Sequence, residues 1–513
     1  MLHTERLPTT KVMNRTKLFL SNFLVYGLGG ALSKLVPLIM VPIITRLMPS
    51  AFYYGMSDIS NTIVSLFTAL AVMGMYDAMY RMFFEKNEEK FKKDICSSAF
   101  FFTVFSSIIV TGLLIILQQP ISQLFYKDTQ YGNLVMLCAA SVLIGGTNTI
   151  VSAPTRMQNK KWTFLIMNIL SPIISYSIAI PLILGGHYLI AIPLAMLISA
   201  FTLEVGFMIL NHKWFSIKCI NWSYIKSMLK IALPLLPNFI IYWIFNSADR
   251  VMITNLLSAD QEGVYAVAAK IGQISQLIYI AFAGGWQYFA FSVMRDKDNT
   301  KVISKVFEIM CVLSLTATIL GTSICKFGME LLFEEEYYAS YICVPYLFLA
   351  PLLLMLFQIG SNQFLVVKKT WPNLLILAGG AALNIILNLY LIPAIGIEGA
   401  SIATFIGYFV SITTCVIVLT AMKLIKLSIK NIIFIVLFFG AFAVMRINAF
   451  TTYYINIPVA ITYLILVLVF YWKDFNKIIH SLLKRKETAK PQEVSGNKEN
   501  VKITENATSQ ESD

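Results

Sequence analysis

Fourteen apolar stretches, each about long enough to cross a bilayer, constrain this chain more than any other feature. A membrane-spanning helix needs about 20 mostly apolar residues. Runs of that kind fall at 18–46, 53–79, 97–118, 132–154, 163–184, 188–210, 231–255, 263–293, 303–325, 341–366, 372–393, 397–421, 430–446 and 455–472. The composition follows from them. The chain is 57% hydrophobic and 13% charged, where soluble domains run nearer ~45–50% and ~25%. That apolar surplus has no single aqueous core to enter, and only a bilayer accepts it. The fold expected is an all-α polytopic membrane protein of about fourteen transmembrane helices. Residues 1–17 are polar and basic, and the first apolar run is much longer than the core of a cleavable signal, so the first span is expected to remain in the mature protein.

A net charge of +13 would suit a nucleic-acid binder, but its distribution argues otherwise. All but seven of the 40 Lys and Arg fall in 1–17, in alternate turns (80–96, 155–162, 211–230, 294–305, 367–371, 422–430) and in the tail after 472. The opposite turns include the acidic stretches Asp260–Glu262 and Glu334–Glu336. This is the positive-inside pattern repeated loop by loop, and it places both termini in the cytoplasm. The basic charge is then topology, and no nucleic-acid partner is expected. The seven cysteines are scattered without a CxxC pair, and the four histidines lie at span ends or outside spans, so neither a disulfide framework nor a metal site is indicated. No cofactor is implied. The turns are too short to hold a soluble catalytic domain, and no span carries a central His, so the chain reads as a non-enzyme.

Two segments resemble each other at a separation of about 208 residues. Leu47-Met48-Pro49-Ser50-Ala51-Phe52-Tyr53-Tyr54-Gly55 follows the first span, and Leu256-Leu257-Ser258-Ala259-Asp260-Gln261-Glu262-Gly263 follows the seventh. Lys160-Lys161-Trp162 and Lys368-Lys369-Thr370-Trp371 repeat at nearly the same offset. An even number of spans separates the copies, so the repeats are parallel, as in secondary transporters that bind substrate between their halves. The expected plan is a cytoplasmic N-terminus (1–17), a lobe of helices 1–6 (18–211), a cytoplasmic linker (212–224), a lobe of helices 7–12 (225–422), two further helices (423–472), and a largely disordered cytoplasmic tail (473–513).

Charges inside spans are costly and usually face a cavity. Lys34 lies mid-way along the first span, Arg46 ends it, Asp249 and Arg250 lie toward the outer end of the seventh, and Lys270 lies in the eighth. All belong to helices that lead a repeat. Their convergence would make a cationic chamber suited to an anion, with Arg giving bidentate contacts to phosphate and Lys a point charge. Arg46 could equally snorkel to the interface, and Asp249 with Arg250 could be a structural pair. Glu204, in the sixth span, is a candidate for a coupling ion, H+ or Na+; Asp58 and Asp77 are weaker ones. The amides in the spans, among them Asn168, Asn246, Gln287, Gln358, Asn384 and Asn388, are expected mainly to bond across helices. Pro37, Pro42, Pro234 and Pro237 can kink the two leading helices.

At the seventh span the sequence becomes more specific. Leu233-Pro234-Leu235-Leu236-Pro237, then Asn246-Ser247-Ala248-Asp249-Arg250-Val251-Met252-Ile253, Gly263-Val264-Tyr265 and Ala269-Lys270-Ile271 resemble the polysaccharide biosynthesis transporters. A second stretch, Leu391-Ile392-Pro393-Ala394-Ile395-Gly396-Ile397-Glu398-Gly399-Ala400-Ser401-Ile402-Ala403-Thr404, resembles that family's turn into its twelfth helix. These are MATE-like flippases of O-antigen, capsule and exopolysaccharide pathways. The resemblance implies two six-helix bundles plus two helices, in the bacterial cytoplasmic membrane. It implies an undecaprenyl-pyrophosphate-linked oligosaccharide as substrate, carried from the inner to the outer leaflet by alternating access. A polysaccharide polymerase and chain-length proteins would be partners. Of the site residues it carries over Asp249, Arg250 and Lys270; Lys34 and Arg46 rest on the charge argument alone. The alternatives are a MATE-type multidrug/ion antiporter, which would want intramembrane acids for cationic drugs, and a membrane enzyme of polymerisation.

Overall fold

The computed structural model describes residues 34–292, 298–367, 369 and 371–487. Among them there is no strand. A helix α1 covers 34–47. The helices that follow are α2 (Ala51–Val72), α3 (Met75–Phe83), α4 (Glu89–Ile116), α5 (Gln118–Tyr126), α6 (Gly132–Met157), α7 (Lys161–Leu184), α8 (Tyr188–Asn211), α9 (Trp222–Ala232), α10 (Leu236–Trp243), α11 (Asp249–Leu256), α12 (Ala259–Gly272) and α13 (Gln276–Ser292). Then come α14 (Asn299–Leu332), α15 (Val344–Val366), α16 (Trp371–Ile395), α17 (Ile397–Ala421), α18 (Ile429–Ile447) and α19 (Tyr453–Glu487). Thirteen described segments are long and apolar enough to cross a membrane. They match the predicted spans from the second to the fourteenth. Of the first, only 34–47 lies within the described residues. The protein is a multi-pass, all-α membrane protein.

Burial fits a lipid solvent. Ile116, Leu184, Ile217 and Ile447 are exposed, while Ser98, Thr103, Ser107, Asn384 and Asn388 are buried between helices. Where lipid is as apolar as leucine, small and polar residues hold helices together instead. Asn384 on α16 donates to Thr404 Oγ1 on α17 at 3.1 Å, one of the cross-helix amide contacts expected from the sequence. The turn between these two helices passes through Gly396 at φ 67°, a left-handed conformation that favours glycine. Of the described spans α15 is the most enclosed and α7 the least.

Three elements differ from the sequence expectation. The second span is interrupted at Met73 and Gly74, both with positive φ, which separates α2 from α3. The predicted linker 212–224 and the start of the seventh span hold the amphipathic α9, whose Ile225, Met228 and Ala232 pack on α3 and α4. The expected tail from 473 is helical as far as Glu487, because α19 continues without a break; 488–513 lie outside the described residues. Contacts divide the chain inside α19, into a unit ending at Ala460 and one beginning at Ile461.

The seventh span is the least regular. Pro234 lies in the 3-10 turn Leu233–Leu235 and Pro237 in the first turn of α10, so both prolines sit where a missing N–H is tolerated. Ile244–Ala248 then form a π-helical turn. Such turns widen the helix and are common at functional sites; this one ends at Asp249.

Candidate functional site

The first turns of α2 and α12 are the duplicated segments, and the two helices pack on each other. Gly55 and Gly263 permit it. A Cβ on Gly55 would sit 2.2 Å from the Ala259 carbonyl oxygen, and one on Gly263 would sit 2.0 Å from that of Ala51. The contact is reciprocal, each glycine meeting the alanine that opens the other helix. Ser258 caps α12 by accepting from Gln261 N at 3.2 Å. Its counterpart Ser50 makes no side-chain cap. Instead Ala51 N, the first amide of α2, donates to Glu336 Oε1 at 3.0 Å.

Beneath this crossing lies a buried charge cluster. Arg250 Nε donates to Asp58 Oδ2 at 2.5 Å, and Arg250 Nη1 lies 3.7 Å from Asp249 Oδ1. The guanidinium also donates to the Asn246 carbonyl in the π turn. Tyr265 Oη donates to Asp249 Oδ2. Lys270 Nζ lies 3.9 Å from Asp58 Oδ1. Arg250 is only 7% exposed and Asp249 only 3%. Two buried charges repay their desolvation only when paired and hydrogen-bonded, and here each is.

A cavity of about 430 Å³ opens beside the cluster. Tyr54, Asp58 and Asn61 of α2, Asn168 and Tyr176 of α7, and Lys270 of α12 are among its polar lining; Pro37, Ile44 and Met196 are among its apolar walls. A smaller cavity of about 120 Å³ shares Pro37 and Lys270 with it and adds Lys34 and Gln273. Hydroxyls and amides beside two lysines can hydrogen-bond a polyol and attract an anion at one end.

The structure thus joins Asp249, Arg250 and Lys270, and brings Lys34 to a cavity that Lys270 also lines. It differs from the expected convergence of four cations. Arg250 is spent on Asp58 and Asp249, so the cations lining the two cavities are lysines. Arg46 is exposed and lines neither; its guanidinium donates to the Leu331 and Leu332 carbonyls at 3.5 and 3.1 Å, at the C-terminus of α14, where such carbonyls lack helical partners. Glu204 is half-buried on α8 near Thr147 and lies outside both the cluster and the cavity lining. The sequence pattern gives Asp58 little weight and makes Glu262 part of an acidic turn, yet Glu262 is wholly buried. One signal was available for Asp58: an Arg inside a span needs a carboxylate from another helix, and Asp58 is one of few.

Residues 43–339 match the family described as polysaccharide biosynthesis protein. The chain belongs to that family. A curated relative of this polysaccharide biosynthesis protein, an uncharacterised membrane protein of Methanocaldococcus jannaschii, is 30% identical over 142 residues, which are 27% of this chain and 28% of the relative's length. Among solved structures, the lipid II flippase MurJ in an inward closed conformation superposes with a TM-score of 0.63 at 17% identity, covering 88% of this chain and all of MurJ. A point mutant of the Vibrio cholerae MATE transporter VcmN gives 0.58 at 13% identity, covering 81% of this chain and 99% of the transporter. At such identities the likeness is one of fold.

Proposed function

We propose that this polysaccharide biosynthesis protein is a flippase for a lipid-linked oligosaccharide. It carries an undecaprenyl-pyrophosphate-linked repeat unit from the cytoplasmic to the outer leaflet for assembly of a surface polysaccharide such as O-antigen, capsule or exopolysaccharide. The halves 18–211 and 225–422 act as two lobes that rock about the bound sugar. The end bearing the α2–α12 crossing faces outward, and both termini face the cytoplasm of a bacterium.

The observation that carries the reading is the cavity against the ion-pair cluster. Its amides and hydroxyls suit sugar, and Lys270 suits pyrophosphate. A drug antiporter is less well supported. It wants a free carboxylate facing its cation, and Asp58, the carboxylate in this lining, is engaged by Arg250 and Lys270.

The test uses full-length protein in liposomes holding a fluorescent polyprenyl-pyrophosphate disaccharide, with transbilayer movement read by a membrane-impermeant quencher. A hydrogen bond to a charged group is worth about 1.5–3 kcal/mol, and each 1.4 kcal/mol is about tenfold. Lys270→Gln is therefore expected to slow movement about ten- to hundredfold. An unchanged rate would remove Lys270 from substrate contact. No movement by the wild type above protein-free liposomes would remove the flippase reading.

A further inference from the structure

Glu262 is fully buried, no N–H or hydroxyl donor reaches either of its carboxyl oxygens, and the polar group within hydrogen-bond reach of it is the Asp58 carboxyl. It sits one residue before Gly263, at the reciprocal crossing, and its Oε2 lies 2.9 Å from where a Gly55 Cβ would be. The group it faces is another carboxyl, that of Asp58. Around it α2 brings Tyr54 and Asp58, α11 brings Asp249 and Arg250, and α12 itself brings Lys270. The segment 335–342 brings Glu336, held by Ala51 N, and Tyr337. α15 and α17, also packed on α12, bring Tyr346 and Glu398, which are engaged with each other and with Arg446.

The charges decide what Glu262 must be. Asp58 and Asp249 are balanced by Arg250 and Lys270. An ionised Glu262 would add an uncompensated negative charge beside another carboxylate, with no donor to stabilise it. Burying such a charge is prohibitive, and a group in that position neutralises instead. A proton on Glu262 leaves the cluster neutral.

We propose that Glu262 is a proton-binding site that latches the α2–α12 contact. Protonated, it lets Gly55 and Gly263 close on each other. When α2 and α12 separate, water reaches the carboxyl, its O–H bond breaks, and the proton passes to water. The carboxylate then cannot be buried again until it takes a proton back. Proton exchange is thereby tied to opening of this end of the bundle. The proposal rests on the alternating-access reading for its role in transport, but the latch itself needs no substrate.

The experiment uses full-length protein in lipid nanodiscs without ligand. Amide hydrogen exchange in 51–63 and 259–267 is followed against pH and corrected for the intrinsic pH dependence. Loss of one proton on opening predicts protection that falls by up to about tenfold per pH unit as pH rises. Glu262→Gln, neutral at every pH, is expected to lose that dependence while staying protected; Glu262→Asp keeps a carboxyl and is expected to retain it. Infrared spectra at neutral pH should show a protonated-carboxyl band that Glu262→Gln removes. If the wild type and Glu262→Gln share one pH profile, or the band survives in Glu262→Gln, the proposal is overturned. If the latch behaves as stated while the liposomes show no lipid movement, only the flippase reading falls.

Discussion

Arg46 and Arg250 look alike in sequence, each a cation near the end of a span that leads a repeat. The structure gives them opposite energetics. Arg250 is buried and pairs with a carboxylate nearly 200 residues away, Asp58. Removing that partner strands a buried charge, which costs about 3–5 kcal/mol. Asp58→Ala is accordingly expected to lower thermal stability in detergent sharply, and Asp58→Ala with Arg250→Met to recover part of the loss. A double variant no more stable than the single one would mean that the pair is not what holds the site. Arg46 is exposed, and its contacts are to helix-end carbonyls. Arg46→Ala should cost about 1 kcal/mol or less and leave lipid movement intact. A large drop in either measurement would restore Arg46 to the candidate site.

Among the helices, α2 and α12 make the largest contact between the two halves. Their approach is set by backbone, not by side-chain complementarity, because each glycine meets the other helix's first carbonyl. Adding one methyl is overpacking, at about 1–3 kcal/mol. Gly55→Ala and Gly263→Ala should each loosen this end, seen as faster hydrogen exchange in both helices while the distant α16–α17 pair is unchanged. Equal exchange in wild type and variants would show that the crossing is not a close contact in the membrane. The seventh span shows how local sequence serves the same site. Two prolines break it where their missing N–H is tolerated, and the π turn delivers Asp249 and Arg250 toward α2. The prolines were legible as breaks. The π turn was not, since no residue type compels it.

For the whole molecule, the turn charges remain the guide to orientation. Single cysteines at Lys90 and Lys301, in a background without the half-buried Cys219, should react with an impermeant reagent only from the cytoplasmic side of the membrane. Cysteines at Lys127 and Gln261 should react from outside. Labelling of Lys90 and Gln261 from one side would invert or break the topology. Contacts joining the first repeat to the second lie at both ends: at the Lys127 and Gln261 end Asn255 with the Leu124 carbonyl at 2.7 Å, Arg46 with α14 and Ala51 with Glu336, and at the opposite end α9 against α3 and α4.

The spans were decided by sequence, because crossing hydrocarbon demands about 20 apolar residues with internal backbone bonds, a condition each segment meets alone. The matching Ser-Ala-x-x-x-Gly at Ser50 and again at Ser258 was also visible, and these are the segments that pack on each other. Which charges meet which was left to the tertiary structure. A lone Arg in a span predicts a partner but not its address; the tertiary structure set Arg250 against Asp58 and Asp249, placed Lys34 and Lys270 along the cavities, and buried Glu262 beside Asp58. Charge in a low-dielectric interior is settled by neighbours in space, and neighbours in space are what a linear pattern does not contain.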